Sequence, residues 1–182
     1  MKRKTAKEIL AESFRELAEK KDIDKITVKD ITSNCGYSPA TFYRQFSDKY
    51  DLIAWDYFKK AELIITNVGN NNYPWKQAQK DALKYYEENK DYLKNLFLHT
   101  SGLESFIHYM VEINQANVSS YILNKFKLEK LDKKTELCLR LYCYSTAQLV
   151  CEWILGKYKL KLDELVDIFD ISMPVPLKKY LF

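Results

Sequence analysis

Glycine and proline are scarce in this chain, four of each among 182 residues. So few residues that turn a chain sharply exclude the many tight hairpins of an all-β architecture, and the long Lys/Glu/Leu/Ala stretches lack strand-like alternation. An all-α fold is expected. No run of eighteen apolar residues is present, which argues against a membrane-spanning helix. The basic start Met1-Lys2-Arg3-Lys4 leads into amphipathic charge and not an apolar stretch, so no signal peptide is expected. A cytoplasmic location without a membrane partner follows as the expectation. The four cysteines form no C-x-x-C pair, and Cys138, Cys143 and Cys151 fall in one predicted helix beside Leu139, Leu141, Leu149 and Val150; free thiols are expected, not a metal or redox centre. Only two histidines occur. His99 and His108, nine residues apart, do not share a helical face and supply no metal site by local spacing. With no nucleophile motif and no phosphate-binding glycine loop either, neither catalysis nor a cofactor is expected.

What is present is helical periodicity. Apolar residues make up 47% of the chain, enough for one or two cores without staples. From Lys4 to Lys20, Ala6, Ile9, Leu10, Phe14, Leu17 and Ala18 recur at three- and four-residue steps opposite a charged face. Thr27 then stands three positions ahead of Asp30, the spacing of a capping box, and Asn34-Cys35-Gly36 ends the short helix that follows. Ser38-Pro39 starts another, with proline at the first helical position where its missing N–H does no harm. Ser47-Asp48 starts a third, continuing through Leu52, Ile53, Trp55, Phe58, Leu63 and Ile64. Two short helices across a tight turn, with long helices before and after, form a helix-turn-helix. Phe42 and Phe46 face inward with Ile31 and Leu52. Tyr37, Ser38, Ala40, Thr41, Tyr43 and Arg44 remain for the outer side, with hydroxyls, a guanidinium and methyls suited to phosphates and base edges.

The run Thr27-Val28-x-x-Ile31, Gly36-Tyr37-Ser38-x-x-Thr41-Phe42-Tyr43-x-x-Phe46-x-x-Lys49-x-x-Leu52 resembles the DNA-binding domain of the TetR family of bacterial transcription regulators, over roughly residues 5 to 65. The resemblance implies that Thr27, Tyr43 and Lys49 hold the DNA backbone and that Tyr37, Ser38, Ala40, Thr41 and Arg44 approach bases. Pro39, at the same tip, replaces a residue that is commonly basic, and Ala40 one that is commonly glycine. Residues 1 to 56 carry eleven Lys and Arg against ten Asp and Glu, so binding rests on placement and not on a general basic surface. Lys2, Arg3 and Lys4, with Lys7, form a basic arm that could reach phosphates or the minor groove.

The loop-forming run Asn67 to Pro74 divides the chain into a DNA-binding domain, 1–66, and a helical regulatory and dimerisation domain, 67–182. Helices are expected at 75–88, 90–99, 103–127, 132–157 and 162–171. Apolar residues cover more than one face of 132–157, so that helix needs partners on both sides; with the final helix it would build a four-helix interface of a homodimer bound to a pseudo-palindromic operator. Tyr85, Tyr86, Tyr92, Phe97, Phe106, Tyr109, Met110 and Tyr142 either fill the core or line a ligand or partner site. The pattern Tyr73-Pro74-Trp75, Tyr85-Tyr86-x-x-Asn89-x-x-Tyr92-x-x-Asn95-Leu96-Phe97, Gly102-x-x-Ser105-Phe106 resembles the activators of dihydroxyacetone kinase operons. That resemblance implies an activator whose sensing partner is a protein similar to a dihydroxyacetone kinase subunit. The alternatives are a ligand-responsive repressor with a small-molecule pocket, and a helical adaptor that does not read DNA.

Overall fold

The computed structural model describes residues 3–70, 73–102 and 105–182. Met1 and Lys2, the start of the basic arm, lie outside the described residues, as do positions 103 and 104, where a helix was expected to begin. Among the described residues there are ten α-helices, one short 3-10 turn and no strand.

The first helix, α1 (Ala6–Ala18), starts two residues later than its periodicity suggests, because Thr5 and Glu8 form a reciprocal capping box. Its apolar stripe, Leu10, Ala11, Phe14 and Ala18, is buried. A 3-10 turn (Ile23–Lys25) leads to α2 (Val28–Asn34), whose cap is the expected Thr27–Asp30 pair. The end of α2 is set by Gly36 at φ +73. Tyr37 N–H bonds the Thr32 carbonyl at 2.9 Å and Gly36 N–H bonds the Ser33 carbonyl at 3.4 Å, the paired bonds of a Schellman stop. One turn later α3 (Pro39–Tyr43) begins under a Ser38 cap, and α4 (Lys49–Ile65) begins under Asp48, whose carboxylate accepts from the N–H groups of Tyr50 and Asp51.

The remaining helices are α5 (Trp75–Glu88), α6 (Lys90–His99), α7 (Phe106–Phe126), α8 (Lys133–Ile154), α9 (Leu162–Ser172) and α10 (Val175–Leu181); α4 reaches from the head to pack on α5 and α7, α8 packs on α7, and α9 packs on α5. One continuous apolar cluster runs from Leu10 and Phe14 through Tyr57, Tyr86 and Met110 to Leu177 and Leu181. The helix at 162–172 is therefore not the last. Pro174 and Pro176 stand at the start of α10, where proline is tolerated in a first turn, and α10 buries Leu177 and Leu181 on the molecule. The same helix also changes the reading of α9. Leu165, Val166 and Phe169 belong to the core of one chain, and of its large apolar residues Ile168 and Ile171 are exposed. The two faces of α8 separate likewise: Leu139, Tyr142, Cys143, Ala147, Val150 and Ile154 are buried, whereas Leu137, Leu141, Tyr144 and Leu155 are exposed. All four cysteines are free thiols, and burial pushes the Cys143 thiol up to about 12.

Candidate nucleic-acid interface

The outer surface of α3 is held rigid from behind. Phe42 and Phe46 are buried, with ring centroids 5.7 Å apart, although Phe46 lies three residues past the end of the helix. The Lys7 ammonium sits over the Phe46 and Trp55 rings at 5.0 and 5.6 Å, so this part of the basic arm is folded onto the head. Ser38, Pro39, Ala40, Tyr43 and Arg44 are exposed and share one protruding end of the molecule, while Thr41 and Tyr37 are half-buried beside them. Tyr43 presents 60% of its surface. Ser38 Oγ accepts the Thr41 N–H at 3.2 Å and lies 3.1 Å from Thr41 Oγ1, to which the Arg44 guanidinium donates at 3.2 Å. This chain of bonds aims a cation and two hydroxyls outward in one patch. Among the described residues, Arg44 and Lys29 make no ion pair.

Other expected phosphate-holding groups are differently engaged. The Lys49 ammonium donates to three backbone carbonyls, those of Ile23, Asp24 and Ile26, at 2.8, 2.9 and 3.0 Å. It fastens α4 to the 3-10 turn rather than projecting toward a duplex. Thr27 is exposed, but its hydroxyl is part of the α2 cap, donating to Asp30 at 2.8 Å. Lys4 is paired with Glu12 at 2.7 Å, and Arg3 is exposed.

Between the head and the other helices lies a polar seam that the sequence reading did not identify. Arg15 on α1 bonds Asp56 on α4 at 2.7 Å, the Tyr85 hydroxyl at 2.6 Å and the Asn89 side-chain oxygen at 3.3 Å, and its guanidinium lies 4.8 Å from the Tyr92 ring centre. Burial works against the Arg15 charge, but Asp56 and the tyrosines more than offset it and hold the pKa above its ordinary value. Asn95 closes the same seam further along, donating to the Ala18 and Lys21 carbonyls at 2.8 and 2.9 Å and accepting the Ile23 N–H at 3.0 Å.

The eight residues expected to line a core or a ligand site divide. Tyr85, Tyr86, Met110 and Tyr142 line a cavity of about 130 Å³ between α4, α5, α7 and α8, which Tyr57, Asn114 and Asn117 also line. Tyr92 belongs to the seam, Phe97 and Phe106 form a ring pair 5.3 Å apart, and Tyr109 packs beside His108. Tyr57 donates to Asn114 Oδ1 at 2.9 Å and lies 2.8 Å from the Tyr86 hydroxyl, while the Tyr142 hydroxyl donates to the Phe169 carbonyl at 3.1 Å. Burial raises the pKa of Tyr57 and of Tyr86, the latter to about 12, so both cavity phenols are neutral. Asn117 Nδ2 is buried and has no hydrogen-bond partner.

Residues 9–54 match the family described as bacterial regulatory proteins, tetR family, and residues 74–174 match the family described as transcriptional regulator C-terminal region. The chain is 28% identical over 99 residues to the HTH-type dhaKLM operon transcriptional activator DhaS of Lactococcus lactis subsp. lactis (strain IL1403). That stretch spans 54% of this chain and 52% of that relative, about half the length of each. Among solved structures, the dihydroxyacetone kinase operon activator DhaS superposes with a TM-score of 0.61 at 18% identity over 96% of both chains. A TetR transcriptional regulator from Rhodococcus sp. RHA1 gives 0.68 at 13% identity over 95% of this chain and 96% of its own. At these identities the solved structures bear on the fold alone.

Proposed function

Because the chain belongs to the TetR family of bacterial transcription regulators, we propose that it reads a pseudo-palindromic operator as a homodimer through the exposed end formed by Ser38, Pro39, Ala40, Thr41, Tyr43 and Arg44. The observation that carries this reading is the outward patch on α3, braced from behind by Phe42 and Phe46. Ser38, Tyr37 and Arg44 are assigned to base edges, and Thr27, Tyr43, Arg3, Lys4 and the arm residue Lys2 to phosphates. Lys49 is assigned to bracing the turn, on account of its three carbonyl partners. Half-sites read by two such heads lie about 34 Å apart, or a multiple of that.

The dimer forms through the outer faces of α8 and α9, where Leu137, Leu141 and Tyr144 of α8 and Ile168 and Ile171 of α9 are exposed. The likeness to DhaS supports activation of a dhaKLM-type operon, and a kinase-like protein subunit as the sensing partner rests on the pattern resemblance between Tyr73 and Phe106. A second reading, direct response to a small molecule, is favoured by the cavity with its unpartnered Asn117 amide.

Binding of the purified protein to fragmented genomic DNA, with and without cell lysate, tests the reading. Enrichment of one palindrome is expected, and Arg44→Ala is expected to weaken that site by about 1–3 kcal/mol while binding to unrelated DNA changes less. Enrichment that needs lysate supports a required partner protein or metabolite. No enrichment under either condition, or full affinity in Arg44→Ala, sinks the DNA-reading assignment.

A further inference from the structure

The seam carries one more group of side chains, brought together from positions 77 and 75 residues apart. Asp22 precedes the 3-10 turn of the head, Asp24 lies within it, and His99 is the last residue of α6. His99 Nε2 lies 3.6 Å from Asp22 Oδ1 and Nδ1 lies 3.5 Å from Asp24 Oδ1. Both separations exceed an N–H···O hydrogen bond, whose range is about 2.7–3.2 Å. They run to different nitrogens of the one ring, and a single ion binds only one of these. One ligand atom from each residue nevertheless lies within 4.8 Å of the other two; ligands on a tetrahedral zinc ion stand about 3.4 Å apart for bonds of about 2.1 Å, so turning one ring nitrogen toward both carboxylates brings all three onto one ion.

The backbone that displays the carboxylates is fixed. Ile23, between them, is fully buried; its N–H is held by Asn95, and the Ile23 and Asp24 carbonyls are held by Lys49. Lys25 pairs with Asp22 Oδ2, which leaves Oδ1 toward the imidazole. This is the preorganised display that a metal site needs and that a chance cluster of flexible acids lacks. Imidazole with carboxylates selects a transition ion such as zinc over magnesium or calcium, which take all-oxygen sets.

We propose that His99, Asp22 and Asp24 bind a divalent transition-metal ion of the zinc class, with water in the fourth position, and that the ion ties the turn preceding α2 to the end of α6. Local spacing could not reveal this site, since its two carboxylates lie 77 and 75 positions before His99 in the chain. The inference is independent of DNA reading and is tested without it.

Thermal unfolding of the full chain, freed of any purification tag, is measured against zinc chloride and magnesium chloride, alongside His99→Ala and the near-isosteric Asp24→Asn. The expected result is a saturable upward shift of the unfolding midpoint with zinc and none with magnesium, lost in both variants. Because Asp24 is exposed, its variant keeps the fold and controls for any instability of His99→Ala. No zinc-dependent shift in the native chain, or a shift that survives either substitution, overturns the proposal.

Discussion

Asp30 carries the cap of α2 and with it the first half of the DNA-reading motif. Its carboxylate accepts from the Thr27 N–H at 2.9 Å and the Thr27 hydroxyl at 2.8 Å, and pairs with Lys21 at 3.0 Å. Hydrogen bonds from the Thr27 backbone and side chain, then Lys21, lower its pKa from 3.8 to about 2. A depressed carboxyl stabilises the fold above its unfolded pKa and loses that stabilisation as pH falls toward the folded one. Fraying of α2 is thus expected as the pH drops from about 4 to 2. A carboxyl-carbon NMR titration should place Asp30 near its lowered value, and in Thr27→Val the midpoint should move up toward the ordinary one. Thr27, Gly36 and Ser38 were legible in the sequence because caps and stops are set within four residues. Lys49 was not, because its three carbonyls come from 23 to 26 positions earlier.

Between elements, the informative unit is the ladder Tyr85, Asn89, Tyr92 and Asn95 along the end of α5 and through α6. Its spacing entered the sequence reading only as part of a family resemblance, and periodicity says only that a face is used and not what it meets. The structure turns that face toward the head, where Arg15 is the common partner of the first three. Removing one member of such an ion pair leaves the other buried and uncompensated, so Arg15→Met is expected to cost about 3–5 kcal/mol of folding stability. Arg15→Met with Asp56→Leu should recover much of that loss, since the stranded carboxylate is gone. Urea unfolding of the two variants checks the pair, and equal loss in both would show that the seam does not depend on the Arg15–Asp56 charge pairing.

At the scale of the whole molecule, the all-α class and most helices followed from apolar spacing, while the partition of α8 into an inner and an outer face did not. A helix apolar on several sides announces several partners without saying which belong to the same chain. Leu141, 69% exposed, lies on the outer face. Leu141→Arg is therefore expected to leave the circular dichroism unchanged, halve the mass measured by light scattering and abolish tight operator binding; a dimer that persists would place the interface elsewhere. The Asn95 clasp bears on a different matter, the exchange of parts between regulators. A DNA-reading head cut at residue 66 and grafted onto another body leaves behind the amide that gathers the Ala18 and Lys21 carbonyls and the Ile23 N–H. A working hybrid must carry the facing side of α6 along with the head, so the unit of inheritance here is larger than the domain that sequence punctuation marks out.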